Sequence, residues 1–221
     1  MSKLPRRPEE IEVFKGKILD TALLLIIEGG FDKLSMRKIA SRLGVTHATL
    51  YNYYTGKDEL YFHIRLRGFE KLYPLLQEAV NTAGSLHDKM HAVSSAYIGF
   101  GLGFPDYYDI MFTNRKVPKY HDCIGTALEP IARYEKETDL KNLGVIVEGI
   151  MRSTGMELSE ARYFTIRWWS GLNGIVSLLN SGLMREVEEN TEELLRRYVD
   201  DLCGHFPYAG SGSQQDRRRR L

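Results

Sequence analysis

Apolar residues recur along this chain in steps of three and four, and nowhere in a sustained alternation of two. Ile11, Phe14, Ile18, Ala22 and Ile26 open the pattern. They mark one face of a helix that Gly29-Gly30 should end. A short unit follows, LSMRKIASRLGVTHATLYNYY. Ser35 is placed to cap a helix carrying Met36, Ile39, Ala40 and Leu43. Gly44 supplies a turn, and Thr46 can cap a second short helix holding Ala48, Leu50 and Tyr51. Two short helices joined by a glycine-containing turn make a helix-turn-helix. A long helix is expected after Gly56, with Pro74 kinking it or ending a turn.

Beyond residue 80 every segment reads as helix. The expected elements are Leu86–Phe100, a short piece PDYYDIMF with Pro105 in its first turn, Ile124–Thr138, Leu140–Thr154, Ser159–Leu179 and Glu188–Cys203. The last carries Leu194, Leu195, Tyr198, Val199 and Leu202 on one side. No run alternates with β-branched residues, so the fold class read from the pattern is all-α. The end, AGSGSQQDRRRRL, reads as a Gly/Ser/Gln linker and an arginine run, and disorder is expected there.

Composition narrows the classes. The 221 residues are 43% hydrophobic and 27% charged, which is globular and rules out wholesale disorder. The longest apolar run, Ala22–Ile27, is far short of the ~18 residues that a membrane-spanning helix needs. No membrane partner is expected, and the N-terminus lacks the pattern of a secretory signal. Cys123 and Cys203 stand outside any CxxC pair. A disulfide scaffold and a thiolate zinc finger are therefore not expected, and a reducing, cytoplasmic setting is. Residues 1–68 carry 12 Lys and Arg against 8 Asp and Glu, whereas residues 69–216 carry 14 against 21. The basic first third hints at an anionic partner, nucleic acid being the usual one.

The stretch LSMRKIASRLGVTHATLYNYYTGKDEL resembles the DNA-binding segment of TetR-family transcriptional regulators. The resemblance rests on the upstream amphipathic helix, S-x-R-x-I-A-x-x-L-G-V, T-L-Y-x-Y-Y and the K-D-E-L opening of the next helix, and covers about residues 11–62. It implies contacts with double-stranded operator DNA at His47, Ala48, Thr49, Tyr51, Tyr53 and Lys57. The chemistry agrees. A recognition helix must be short, and polar where it meets the major groove. Thr46, His47, Ala48 and Thr49 stand at its N-terminal end: His47 can bond a base edge or a phosphate, and Ala48 and Thr49 can touch a thymine methyl. Tyr51, Tyr53 and Lys57 suit phosphates at the rim, as do Ser35 and Arg37 at the positive end of the preceding helix. Leu43, Val45, Leu50 and Tyr54 are expected to pack inside.

The resemblance also implies a division of the chain. Residues 1–60 would bind DNA and residues 61–206 would bind an effector and dimerise, followed by a tail over 207–221. The implied homodimer uses the last two long helices, and the Ser159–Leu179 segment, apolar on more than one face, fits a helix buried on two sides. Aromatic residues concentrate between Tyr97 and Phe112. Tyr97, Phe100, Phe104, Tyr107, Tyr108, Met111 and Phe112, with Trp168, Trp169 and Asn173, could line an apolar pocket for a small-molecule effector, or could simply be core. Part of the family carries a Trp-x-x-x-His-Gly pattern here. This chain has Asn173 where that pattern has His.

Other chemistry is poorly supported. His87 and His91 could share a helix face, yet a pair does not close a metal sphere, so no metal and no cofactor are expected. No nucleophile elbow, phosphate loop, HExxH or paired carboxylate motif is present, so no enzyme is expected. The reading is a ligand-responsive repressor. The competing readings are a helical enzyme or carrier, and an interaction protein acting through its arginine tail.

Overall fold

The computed structural model describes residues 7–81, 84–113 and 118–204. Its helices are α1 (Pro8–Gly29), α2 (Met36–Leu43), α3 (His47–Tyr51), α4 (Lys57–Val80), α5 (Leu86–Gly103), α6 (Pro105–Tyr108), α7 (Tyr120–Cys123), α8 (Glu129–Thr154), α9 (Leu158–Asn180), α10 (Leu183–Val187) and α11 (Thr191–Gly204). A 3-10 turn covers Phe31–Lys33, and a π-helical turn, Asp109–Thr113, follows α6. Among the described residues there is no strand, and the protein is all-α. The arginine-rich tail over 207–221 lies outside the described residues.

Two compact units divide the chain. Of the described residues, the first takes those up to Glu70 and those within Asp106–Asp139, and the second takes those within Lys71–Pro105 and those from Leu140 to Gly204. The first is built on Ile18, Ala22, Ile39, Leu50, Leu60 and Tyr61, all fully buried. These are the period-3.6 positions of α1 to α4, so the local pattern and the packed core agree. In the second unit α5, α9 and α11 pack on one another. Val93, Trp168, Leu172 and Val176 are at or near zero exposure there. Gly171 permits the approach of α9 to α11. A Cβ at that position would stand 2.8 Å from Tyr198 Oη and 3.0 Å from Leu202 Cδ2.

Two expectations about boundaries change. Pro74 does not interrupt α4, which runs on to Val80. Leu72 and Leu76 on either side are each 2% exposed, and their burial outweighs the one backbone bond that proline removes. The two helices expected at Ile124–Thr138 and Leu140–Thr154 are one continuous α8, and a short α7 precedes Ile124. The break falls earlier, at Gly125, whose φ of +77° favours glycine. The Glu129 carboxylate accepts the Gly125 N–H at 2.8 Å, and Pro130 stands in the first turn of α8. Nothing at Asp139-Leu140 stops a helix.

Candidate nucleic-acid interface

The turn between α2 and α3 is held by short-range bonds. Ser35 Oγ accepts the Lys38 N–H at 3.3 Å and so caps α2. Gly44 takes the left-handed conformation, φ 64° and ψ 32°, and the Val45 N–H reaches the Ala40 carbonyl at 3.0 Å. Thr46 Oγ1 accepts the Thr49 N–H at 3.3 Å, and the two hydroxyls lie 2.7 Å apart.

A helix of five residues does not stand by itself in water. Leu50, at 0% exposure, anchors α3 in the core of the first unit, and Tyr54 at 3% follows it inside. Burial pushes the Tyr54 phenol up to about 12. Leu43 and Val45 pack against the same core from partly buried positions. With Leu50 turned inward, His47, Ala48 and Tyr51 share an exposed arc of α3. The His47 and Tyr51 rings meet edge to face at 4.9 Å. Tyr51 remains 49% exposed, a large aromatic surface beside a polar helix start.

The other sequence-predicted residues differ in how free they are. Arg37 is exposed in the first turn of α2. Ser35 and Thr49 are partly buried, with hydroxyls engaged in capping and in the contact with Thr46. Tyr53 is partly buried, its ring edge to face with Phe14 at 5.1 Å. The Lys57 ammonium lies 4.5 Å above the Phe31 ring, which holds the side chain in one place without neutralising it. Some of the basic excess of residues 1–68 is matched locally. Arg42 pairs with Glu28 at 2.9 Å, and its hydrogen bond holds the Glu28 carboxyl below the usual carboxylate range. Arg67 pairs with Asp20 at 2.9 Å. Lys38 and Asn52, which sequence reasoning passed over, are also exposed beside the predicted set. The adjacency of Lys38 to Arg37 was the available signal. The surface combines hydrogen-bonding groups on a short helix with flanking cations, which suits base edges and phosphates.

The family model for bacterial regulatory proteins of the tetR family matches residues 18–64, and that for the tetracyclin repressor-like C-terminal domain matches residues 90–202. The chain belongs to the TetR family. It is a transcriptional regulator and not an enzyme. It is similar to the uncharacterized HTH-type transcriptional regulator Rv0681 of Mycobacterium tuberculosis, at 23% identity over 86% of this chain and 81% of that one. It is also similar to the HTH-type transcriptional activator FasR of Mycolicibacterium smegmatis, at 24% identity over 69% of this chain and 65% of that protein. Among solved structures, the regulatory protein SCO4313 shares the fold at a TM-score of 0.72, with 22% identity over 90% of this chain and 100% of that one.

The ten effector candidates of this regulator fall in both units. Tyr107, Tyr108, Met111 and Phe112 belong to the first, and Tyr97, Phe100, Phe104, Trp168, Trp169 and Asn173 to the second. Within the second unit the Tyr97 hydroxyl donates to Asn173 Oδ1 at 2.9 Å and accepts the Trp169 indole N–H at 3.0 Å. Asn173 on α9 thus holds Tyr97 of α5. The Trp168 indole donates to Ser94 Oγ at 3.0 Å, and Ser94 donates to the Met90 carbonyl at 2.7 Å. The Phe100 and Phe104 rings meet at a tilt with centres 5.5 Å apart, and those of Tyr108 and Phe112 at 5.1 Å. Tyr97, Phe100, Tyr108 and Trp168 are at most 2% exposed.

A cavity of about 670 Å³ in the second unit is lined by none of the ten. Its walls are His91, Ser95, Ile98 and Gly99 on α5, and Asn190, Leu195, Arg196 and Val199 at α11, with Glu192 and Glu193. His91 Nε2 lies 2.6 Å from Asp200 Oδ1. Among the described residues no group of three or more His, Cys, Asp or Glu could hold a metal, and no helix is long and apolar enough to cross a membrane.

Proposed function

We propose that this regulator is a cytoplasmic repressor that binds a palindromic operator as a homodimer and is released by a small, largely apolar effector. Residues 1–60 bind DNA, and residues 61–206 bind the effector and dimerise. The observation that carries the reading is the exposed His47, Ala48 and Tyr51 arc on a helix locked by Leu50. One such helix reads too few base pairs for selectivity in a genome, so two copies are needed. Support for self-association comes from α9. Tyr163, Ile166 and Leu178 are 62%, 50% and 42% exposed on a helix whose opposite side is core. Ser170, Gly174 and Ser177 are exposed at helical spacing between them and allow a second helix to come close. An effector acts only through its differential affinity for the DNA-competent and DNA-incompetent conformations.

Selection of bound duplexes from a random pool, at physiological salt, tests this. A palindrome with half-sites about one helical turn apart is expected. A non-palindromic site would overturn the homodimer. Transcription from a promoter bearing the selected site should fall when the protein is added. A rise would make it an activator, as FasR is named.

A further inference from the structure

The first unit contains an arginine that its own chain does not satisfy. Arg65, on α4, is 5% exposed. Its Nη2 stands 2.7 Å from Glu135 Oε1 on α8, a carboxylate whose side chain is 4% exposed. Its Nε and Nη1 are buried with no hydrogen-bond partner. Buried donors are rarely left so, because they lose water and gain nothing in return. The ion pair alone does not explain three idle N–H bonds on a planar guanidinium, the side chain best shaped for carboxylates.

One side of the guanidinium is aromatic. The guanidinium carbon lies 5.9 Å from the centre of the Phe69 ring. Phe69 meets Phe112 edge to face at 5.9 Å, and Phe112 packs on Tyr108. Phe112 and Met111 sit on the π-helical turn, a distortion found often at functional sites. An apolar wall beside a small number of buried polar groups is the usual makeup of a small-molecule site.

We propose that Arg65 anchors the carboxylate of a small apolar acid, whose body lies against Phe69, Tyr108, Met111 and Phe112. The inference rests on the ligand-responsive reading above and gives that effector a chemical class. The local charges select a monoanion. Arg65 and Lys119 face Glu135 and Asp139, so the cluster is balanced before any ligand arrives, and a phosphate dianion would meet two carboxylates. Burial pushes the Glu135 and Asp139 carboxyls up, so added negative charge beside them is costly, and one charge costs less than two.

Calorimetry on the full chain tests the site with phenylacetate, octanoate and dodecanoate, each against its neutral amide. The wild type is expected to bind at least one acid tenfold or more tightly than its amide. Arg65→Met strands Glu135, so the decisive variant is Arg65→Met/Glu135→Leu, which replaces the pair with apolar groups of similar volume. It should lose the preference for acid over amide while keeping its cooperative unfolding. Acids no better than amides, no binding of either, or undiminished acid binding in the double variant would each overturn the site. DNA release is read separately on the selected operator. Release by neutral compounds, with no acid preference, keeps the ligand-responsive reading and removes this one. Arg65-dependent acid binding that leaves DNA affinity unchanged keeps this site and removes that reading.

Discussion

Leu50 should decide whether α3 exists as a presented helix. It is fully buried, and the five-residue helix has no other way to stay in place. Leu50→Ala removes three buried carbons, worth about 2.4 kcal/mol at about 0.8 kcal/mol per carbon. A cavity that relaxes only in part raises the cost to about 3–4 kcal/mol. With a urea slope of about 2 kcal/mol per molar, the unfolding midpoint of the first unit falls by about 1.5–2 M. Circular dichroism gives the midpoint, and hydrogen exchange should localise the loss to α2 and α3. Affinity should fall for every DNA sequence alike, because the whole reading helix is loosened. His47→Ala is the control. His47 is exposed, so stability should change by less than about 0.5 kcal/mol while base preference shifts. An unchanged midpoint in Leu50→Ala, or a loss above about 1 kcal/mol in His47→Ala, would refute the argument that burial of one leucine presents the polar arc.

Lys57→Ala should weaken binding to all duplexes and reduce the slope of log affinity against log salt by about one, since a single phosphate contact is lost; an unchanged slope in anisotropy titrations places Lys57 off the DNA. Gly171→Ala should destabilise the second unit by about 1–3 kcal/mol through the clash with Tyr198 Oη, and Tyr198→Phe should return part of it; equal melting of the single and double variants would show that the hydroxyl is not the obstacle. Asp88 closes a capping box at the start of α5, and bonds from the Ser85 hydroxyl and N–H hold its carboxyl below the ordinary range. A depressed folded pKa contributes stability above the unfolded value of about 3.9, and that contribution is lost as pH falls through the folded value. Asp88→Asn should therefore flatten the acid limb of unfolding below about pH 4, and an acid limb identical to that of the wild type would contradict the cap.

The DNA-binding half was legible because its signals are local. The Ser35 and Thr46 caps, the Gly44 turn and the buried Ile39 and Leu50 all act over a few residues, so the letters alone carry them. The same holds for the all-α class and for Tyr54 as a packing residue. What the sequence hid depends on partners far along the chain. Arg65 and Glu135 stand 70 positions apart, and Tyr97 and Asn173 stand 76 apart. Periodicity shows that each faces inward or sits on a helix, but not what meets it. The aromatic run from Tyr97 to Phe112 looked like one site, yet its members divide between two units. The cavity between α5 and α11 is lined by residues that carry no shared motif. Local propensity and capping determine which segments are helices and which short helix is presented. Only long-range packing decides which buried polar groups find partners, and which, like the Arg65 donors, do not.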